Sequence, residues 1–543
     1  MKSLETDVIV IGGGATGAGV LRDCALRGVA SVLIEKNDFA SGTSGRNHGL
    51  LHSGARYAVK DLESAAECIS ENNILKKIAH HCVEDTGGLF VTLPGDDPGY
   101  HAQLIVGCRD AGIPCQEIEV KEALKLEPHL HPGIKRALKV PDATIDPFRL
   151  TASNVLDAVE HGAKALTHAE VTGLILRGPQ IVGVRCLDLA TEEEFEVFGR
   201  VIINASGVWG QKICEMAGVQ LKMFPSKGSM VIIDYRVNNV VVNRCRPTAD
   251  GDIIVPGDTV SLIGTTSKQV PYDQIENLYV DDDEIEILLA DGEKLIPNVS
   301  QTRVLRAYAG VRPLVAVSGK THGRDLSRGI VLVDHQDRDG LSGLISIVGG
   351  KLTTYRLMAE MAADLAVRKL GLTVPGQTAQ LPLPGSEKRM APRKKFKHFS
   401  GISESIVGST HFRHGERVHD ILQSDPGNYA LVCECEMVTA GEVRYALEKL
   451  NVRDIIDLRR RTRVGMGPCQ GELCSYRAAG LFSELGRATG EEASQMLFDF
   501  LEERFKGVKP VLWGDALREI EFTYWLFQGL FGLGGPAGTT GEQ

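Results

Sequence analysis

The sequence predicts an α/β (α+β) fold over most of the chain, followed by a mainly helical C-terminal region. Residues 7–35 show an apolar strand, a glycine turn, a helix and a second apolar strand, and the same pattern returns at 201–210 and 345–365. A further helix is predicted over 147–162. Between these stretches the pattern is mixed and broken by Gly and Pro, and after residue 400 it is predominantly helical. Because 543 residues exceed what one hydrophobic core usually organises, we expect at least two domains.

Composition and charge exclude several classes of protein. Apolar residues at 43% and charged residues at 24% are ordinary for a folded globular chain. The net charge of −10 argues against a general nucleic-acid binder, because phosphate neutralisation needs a basic face. No uncharged run approaches the roughly 20 residues of a membrane helix, and the first residues form a strand and not a signal peptide. We therefore expect a cytoplasmic protein that meets a membrane only peripherally or through a partner.

The opening βαβ unit carries a dinucleotide-binding fingerprint at its first turn, formed by Gly12, Gly14 and Gly17. The first glycine permits a tight turn, the second lets backbone approach a pyrophosphate, and the third lets the helix pack close to the strand. Glu35 ends the second strand, where a carboxylate can bond the ribose hydroxyls. A glycine-rich turn in a plain βαβ unit is the alternative. NAD and FAD enzymes share this fingerprint, so it does not identify the dinucleotide.

Later glycine-rich stretches favour FAD. SGTSGRNHGLLHSGARY at 41–57 offers hydroxyl and backbone donors, among them Thr43 and Ser44. With NASGVWG (204–210) and GGKLTTYR (349–356) it resembles the glycine-oxidase-like flavoenzyme group. The resemblance implies further FAD contacts at Asn47, Val171, Ala205, Gly207, Gly349, Gly350 and Thr353.

Four segments make the resemblance specific: LLHSGARY (50–57), DATIDPFRL (142–150), YAGVRPL (308–314) and GGKLTTYR. They resemble the FAD-dependent glycerol-3-phosphate dehydrogenase family, and nearly the full length is similar to the large subunits of its anaerobic branch. The resemblance implies a Rossmann-like FAD-binding domain interleaved with an antiparallel-sheet substrate domain, followed by a mainly helical Fe-S-type domain. The FAD-binding pieces are predicted at about 1–75, 145–220 and 325–372, and the substrate-binding pieces at about 76–144 and 221–324.

The C-terminal third is predicted in three parts. Residues 373–400, rich in Pro and Lys and without periodicity, read as a linker, although the basic run KRMAPRKKFK also suits an anionic partner. A four-cysteine domain follows at 401–485, with its cysteines within about 425–480, and a helical tail covers 486–543. In this tail the aromatic FTYWLFQGLFGL (522–533) suits either a partner or bilayer surface or a terminal helix packed on its own domain.

The family resemblance implies oxidation of sn-glycerol 3-phosphate to dihydroxyacetone phosphate. Such a site needs cations for the phosphate and a base for the C2 hydroxyl proton. The candidate substrate ligands lie in the family segments: Arg56, Tyr57, Arg312, Lys351 and Arg356. Arg56 and Arg312 are predicted to hold the phosphate, and Lys351 to hold the phosphate or the charge that develops on reduced flavin. Pairing with surface carboxylates is the alternative for each cation.

His52 is the predicted general base, because an imidazole suits proton transfer near neutral pH and His52 stands four residues before Arg56. His48 is the other histidine in this stretch. A purely structural hydrogen bond or a flavin contact is the alternative for either ring.

Four of the twelve cysteines are paired, as Cys433-x-Cys435 and Cys469-x4-Cys474. Four soft ligands in two pairs suit a 2Fe-2S cluster, whereas structural zinc prefers C-x2-4-C spacing. Zinc and free thiols are the alternatives, and the arrangement resembles the bacterioferritin-associated-ferredoxin-like domain. Arg459, Arg460, Arg461 and Arg463 precede the second pair and either offset cluster charge, dock an acidic partner or form a solvated helix end.

A flavin and a cluster in one chain imply that electrons leave for a relay, since a flavin exchanges them in pairs or singly and a cluster only singly. The resemblance implies companion B- and C-type subunits of a heterotrimer, the quinone pool as acceptor, and attachment to the inner face of the cell membrane through those partners. Two rivals remain: a flavin dehydrogenase of a 2-hydroxy acid or an amino acid, and an electron-transfer or assembly module with a structural nucleotide site.

Overall fold

A mixed sheet built around parallel strands forms the first part of the structure, a computed structural model that describes residues 2–315, 329–388, 399–422 and 425–531. Its central strands and the edge strand Lys164–Leu166 run parallel, and the other added strands run antiparallel. The described strands of this sheet are Lys2–Ile11, Ser31–Ile34, Lys164–Leu166, Ala169–Arg177, Gln180–Asp188, Glu194–Asn204, Ile330–Asp334 and Leu344–Gly349. The predicted α/β fold is confirmed.

Three helices cover the parallel strands, because the strands are apolar on both faces. Ala15–Leu26 packs against Pro147–Glu160 and Tyr355–Lys369. The second of these helices is the one predicted over 147–162, and Asp146 caps it by accepting from two backbone N–H groups. In the strand register Ile11 lies beside Ile34 and Asn204, so the carboxyl ends of three strands meet at one edge. Ligands bind at such an edge in open α/β sheets.

The second sheet is largely antiparallel and is assembled from two separated stretches of chain. Its described strands are Gly88–Thr92, Gln116–Ile118, Arg136–Val140, Met223–Ile233, Val241–Arg244, Ile253–Pro256, Ser261–Gly264, Lys268–Gln269 and Val304–Val315. Short strands Leu50–Leu51, Val83–Glu84 and Ala143–Ile145 form a third, small sheet. The strands of the first two sheets thus alternate along the chain, as the predicted interleaving requires, while the domain boundaries stay a prediction.

The remaining helices of this part cover the sheets and connect their strands. They are Leu62–Ile78, Pro98–Asp110, Val120–Leu126, Gly210–Met216, Asp282–Leu295 and His335–Asp339.

The C-terminal part is helical, as predicted, around a small hairpin of Leu431–Cys433 and Val438–Thr439. Its described helices are Glu404–His414, Val418–Leu422, Ala440–Lys449, Ile455–Thr462, Cys474–Glu484, Gly490–Val508 and Asp515–Phe531. A separate apolar core that includes Phe482 and Phe500 holds the last five of these helices together, and a smaller apolar cluster that includes Val407 and Leu422 packs the first two. None of the helices in the described ranges is both long and apolar enough to span a bilayer.

The connection between the two parts differs from the predicted linker over its first half. Thr378 and Leu383 are buried, and Arg22 donates to the carbonyl oxygens of Thr378 and Leu381. Residues 373–388 therefore pack in part against the first part of the structure, and their carbonyl oxygens supply the hydrogen-bond acceptors that the buried Arg22 needs. The basic run predicted at 389–398 lies outside the described residues.

Candidate functional site

A cavity of about 400 Å³ follows the edge where the parallel strands end and continues onto the second sheet. Most of the residues predicted to contact the dinucleotide line it: Gly12, Gly14, Glu35, Thr43, Ser44, Asn47, Val171, Ala205, Gly207, Gly349, Gly350 and Thr353. These residues come from six separate stretches of the chain, and the fold brings them into one groove.

The glycines of the first turn act as their spacing predicts. Gly12 has φ of +108°, and a Cβ there would collide with the backbone of Ala205 on the neighbouring strand. Gly17 does not line the cavity, and a side chain on it would collide with the carbonyl of Gly12, so its role is close packing of helix on turn. Ser44 accepts from the backbone N–H of Ala15 at 2.9 Å, which places its hydroxyl at the N-terminus of the first helix.

Glu35 lies at the end of the second strand with its carboxylate turned back to the glycine turn. One oxygen accepts from the backbone N–H of Gly13 at 2.6 Å and the other from that of Asn37 at 2.8 Å. Burial raises the pKa of Glu35, and the two backbone hydrogen bonds oppose that shift.

These residues fit FAD. The helix N-terminus with its open glycine turn suits a pyrophosphate, the carboxylate suits ribose hydroxyls, and the cavity is long enough to reach a second set of glycines. Gly207, Gly349 and Gly350 all have positive φ, so backbone can approach a ring system there without side chains.

His52, Tyr57, Lys351 and Arg312 line the far end of the same cavity. His52 is buried, its ring centroid lies 5.4 Å from that of Tyr57, and its backbone N–H donates to Thr353 Oγ1 at 3.2 Å. Lys351 Nζ lies 4.7 Å from the centre of the Tyr57 ring, a cation–π contact. The ring of His48 lies 5.8 Å from that of His52. Two imidazole rings, a phenol ring and the Lys351 ammonium thus lie close together, and Arg312 lines the same cavity.

Arg312 reaches the same cavity from the long strand Val304–Val315. Its Nη2 donates to Thr265 Oγ1 at 2.6 Å and to the carbonyl of Thr266 at 2.8 Å, and its Nη1 donates to Ser226 Oγ at 3.3 Å. These oxygens fix the guanidinium of Arg312 in place at the cavity wall.

Two predicted substrate cations lie elsewhere. Arg356 is buried and bidentate to Glu71, at 2.6 and 2.9 Å, and it also pairs with Glu360. Its positive charge is paired with these two carboxylates, so the geometry does not support its predicted substrate role. Arg56 donates to Asp252 Oδ2 at 2.6 Å and does not line the cavity, so phosphate binding by Arg56 stays a prediction.

The four paired cysteines come together in the helical part. Cys474 shares hydrogen bonds with Cys433 and Cys469, and Cys469 also bonds Cys435. The hydrogen bond with Cys474 lowers the pKa of Cys469 to about 5, aided by the N–H groups of Gly471 and Leu473. Thiolate character in a nest of backbone N–H donors suits a metal or cluster ligand.

The arginines before the second cysteine pair are not a solvated helix end. Arg460 and Arg461 bond Asp38 of the flavin-type part, and Arg463 bonds Glu436 at 2.9 Å beside the first cysteine pair. Arg461 is 2% exposed. They join the four-cysteine region to the rest of the chain.

Among the residues that line this cavity and that sequence analysis missed are Trp209, Met230 and Thr265. Trp209 lies within the family segment NASGVWG, which could have identified it. Met230 and Thr265 lie in mixed stretches without a local signal, and only the register of the second sheet brings them to the cavity.

Two family models match the chain. Residues 7–356 match the FAD dependent oxidoreductase family, and residues 431–484 match the BFD-like 2Fe-2S binding domain. The predictions of FAD and of a 2Fe-2S site at the four cysteines agree with these matches, and the two cofactors are confirmed.

Similar proteins cover nearly the whole length. The chain is 56% identical over 531 residues to the A subunit of the anaerobic glycerol-3-phosphate dehydrogenase of Escherichia coli (strain K12), with 98% of each chain covered. Identity to the corresponding protein from Haemophilus influenzae is 53% over 534 residues, covering 98% of this chain and 94% of that one. The solved structure of the glycerol-3-phosphate dehydrogenase from Bacillus halodurans complexed with FAD aligns with a TM-score of 0.70. It covers 94% of this chain and 96% of that chain, and at 24% identity it supports the fold.

Proposed function

The chain belongs to the FAD-dependent oxidoreductase family and, within it, to the anaerobic glycerol-3-phosphate dehydrogenase A subunits, and from this premise we propose that it oxidises sn-glycerol 3-phosphate to dihydroxyacetone phosphate. It is an FAD-dependent dehydrogenase with a 2Fe-2S domain, and one component of a multi-subunit enzyme. The observation that carries the proposal is that His52, Lys351 and Arg312 line the cavity that begins at the dinucleotide turn.

When bound, FAD supplies the acceptor for the hydride on C2, and the 2Fe-2S cluster supplies a one-electron carrier. Everything else must come from the protein: a place for the phosphate, an orientation for the C2–H bond, and an acceptor for the hydroxyl proton.

Arg312 is the proposed phosphate ligand. Hydroxyl and carbonyl oxygens hold its guanidinium at the cavity wall, and a planar guanidinium suits a phosphate through paired hydrogen bonds. Lys351 is proposed to hold either the phosphate or the negative charge that develops at the ring end of the cavity, and Tyr57 beneath its ammonium orients the substrate.

His52 is the proposed general base. An imidazole nitrogen takes the proton from the C2 hydroxyl as the C2–H bond breaks, which leaves a carbonyl at C2. The hydrogen bond from its backbone to Thr353 and the nearby Tyr57 ring fix the position of His52 against the far end of the cavity.

We propose companion B- and C-type subunits and the quinone pool as the onward path, with attachment to the inner face of the cell membrane through those partners. The relatives are themselves named as one lettered component of a larger enzyme, which supports companion subunits. A surface on the last described helix supports the same idea, because Phe522, Tyr524 and Trp525 are each more than half exposed while Phe527 faces the core. A Trp525→Ser chain that still pulls down its companion subunits would remove this surface from the proposal.

The experiment that tests the function is an absorption and EPR spectrum of anaerobically purified protein before and after glycerol 3-phosphate. We expect bleaching of the flavin band and a 2Fe-2S signal on reduction. L-2-hydroxyglutarate and glycine serve as the competing substrates, and bleaching by either but not by glycerol 3-phosphate would favour the rival dehydrogenase. A flavin that no substrate reduces would favour an assembly module.

A further inference from the structure

A second cavity, of about 230 Å³, lies on the same face of the long strand Val304–Val315 as the flavin-type cavity. Arg306 and Tyr308 line the second cavity, whereas Gly310 and Arg312, further along the strand and on the same face, line the first. The segment 41–49 crosses the sheet between the two cavities. Tyr308 Oη donates to the carbonyl of Asn47 at 2.8 Å, which holds this dividing wall in place.

Three arginines from three parts of the fold face this second cavity. Arg46 belongs to the dividing wall and lines the first cavity as well, Arg306 belongs to the sheet, and Arg459 belongs to the helix Ile455–Thr462 of the four-cysteine region. Arg306 is 6% exposed, and the Nε atoms of Arg306 and Arg459 are buried without a hydrogen-bond partner. No carboxylate in the described ranges forms an ion pair with any of these three guanidinium groups.

Other charges around the cavity largely cancel each other. Arg149 and Arg463 pair with Asp146 and Asp258, and Arg460 pairs with Asp38. Glu503 is the carboxylate that acts on the three arginines from a distance. Glu84, which also lines the cavity, pairs with Arg236, so Glu503 is the lining carboxylate left to balance the three arginines, and Lys506 adds a further positive charge on the wall.

Buried guanidinium groups without counter-ions are costly, and burial accordingly lowers the pKa of Arg306 and Arg459. Water alone fills the space, at roughly 30 Å³ a molecule, but does not neutralise the charge. A multivalent anion does both, since guanidinium forks bond oxyanions in pairs. The volume lies below the roughly 300–1,000 Å³ of drug-sized ligand sites, which favours a small anion over a nucleotide.

We infer that this cavity is a second anion site, in which Arg46, Arg306 and Arg459 bind a small phosphate-class oxyanion. The bound anion bridges the flavin-binding part and the four-cysteine region, because its ligands come from both. The site is separate from the proposed substrate site, since the wall of residues 41–49 lies between Arg306 and Arg312. This inference goes beyond the proposed function and does not depend on it.

The test is isothermal titration of the anaerobically purified holoenzyme with inorganic phosphate at constant ionic strength, with chloride as the balancing ion. We expect phosphate binding that survives in Arg312→Gln but weakens at least tenfold in Arg306→Gln and in Arg459→Gln. Glu503→Gln should bind phosphate more tightly than the parent protein, because it removes the carboxylate that competes with the ligand. Arg109→Gln, at an exposed arginine, is the matched control and should leave the affinity unchanged.

Glycerol 2-phosphate, titrated in parallel, shows whether a phosphomonoester or free phosphate is the better ligand. A tenfold loss of affinity for either ligand in the two arginine variants supports the site. The inference is overturned if no phosphate binding survives Arg312→Gln, or if Arg306→Gln and Arg459→Gln bind phosphate as the parent does. A Glu503→Gln protein that binds phosphate no more tightly than the parent also overturns it, and this variant does not depend on removing a buried arginine.

Discussion

Asp38 and Arg461 form a buried ion pair that joins the flavin-binding part of the chain to the four-cysteine region. Both side chains are 1% exposed, and Arg461 Nη1 lies 3.0 Å from Asp38 Oδ2. Arg460 Nη1 donates to that oxygen as well, at 3.0 Å, and the Arg461 guanidinium lies over the ring of Phe39. The pair is the main polar link from the first βαβ unit to the helix that precedes Cys469.

Asp38→Asn should destabilise the chain by about 3–5 kcal/mol, because it leaves a buried guanidinium without its counter-charge. Chemical denaturation followed by tryptophan fluorescence measures the loss. The double variant Asp38→Asn with Arg461→Met should recover part of it, since the buried charge of Arg461 is then removed together with its partner. A double variant no more stable than Asp38→Asn would show that packing, and not the ion pair, holds this contact.

The same pair predicts a pH dependence. Burial alone would raise the pKa of Asp38, but Arg461 and Arg460 outweigh it, and the pKa lies below its ordinary value. A carboxyl group whose pKa is lower in the folded than in the unfolded state stabilises the fold at pH values above the unfolded pKa of about 3.9. This contribution to stability is lost as pH falls through the folded pKa. The stability difference between the parent and Asp38→Asn should therefore be constant above about pH 5 and shrink below about pH 4, in denaturation curves at each pH. A difference that grows on acidification would contradict the assignment.

His52→Asn should slow reduction of the flavin by glycerol 3-phosphate by roughly 10²–10⁴-fold, the usual contribution of a general base. Anaerobic stopped-flow absorption measures the rate, and the FAD content should stay unchanged. His48→Asn is the matched control, because its ring lies 5.8 Å from that of His52 in the same stretch. An undiminished rate in His52→Asn with full FAD would remove His52 from the role of base.

Two variants, Arg312→Gln and Arg356→Gln, should distinguish an arginine that binds substrate from an arginine that stabilises the fold. Arg312→Gln should raise KM for glycerol 3-phosphate by about 10–100-fold, the value of one or two charge-assisted hydrogen bonds. Arg356→Gln should leave KM within about twofold and lower the unfolding free energy by about 3–5 kcal/mol, since Glu71 loses its buried partner. Steady-state kinetics with an artificial dye and denaturation curves give the two readouts. The reverse pattern would return Arg356 to the substrate site.

Cys469→Ser should abolish the 2Fe-2S EPR signal, because it removes the thiol that bonds both Cys435 and Cys474. Reduction of the flavin by substrate should persist, since the four cysteines do not line the flavin-type cavity. Cys115→Ser, at a partly exposed cysteine outside the cluster, is the control and should keep the signal. If flavin reduction by substrate were lost together with the cluster, the flavin-binding part and the four-cysteine region would fold only as one unit.

Local patterns predicted much of the fold, and together with the family resemblance they predicted most of the candidate site. The glycine turn with Glu35 and the two cysteine pairs are encoded over short spacings, so they could be recognised without the tertiary structure. Arg356 could not be assigned in this way, because its partner Glu71 lies 285 residues away in the chain. Arg461 meets Asp38 across 423 residues, and nothing beside either residue indicates the other. Charge alone does not reveal which arginines the fold neutralises and which face a cavity.

The crossing of residues 41–49 over the long strand has a mechanical consequence. A side chain at Gly310 would collide with the backbone of Arg46, so the crossing segment rests directly on the sheet and has no slack beneath it. It can yield only sideways, from one chamber toward the other. A shift of this segment toward one chamber would narrow that chamber and widen the other, so the proposed occupants of the two chambers would be coupled through a single backbone segment.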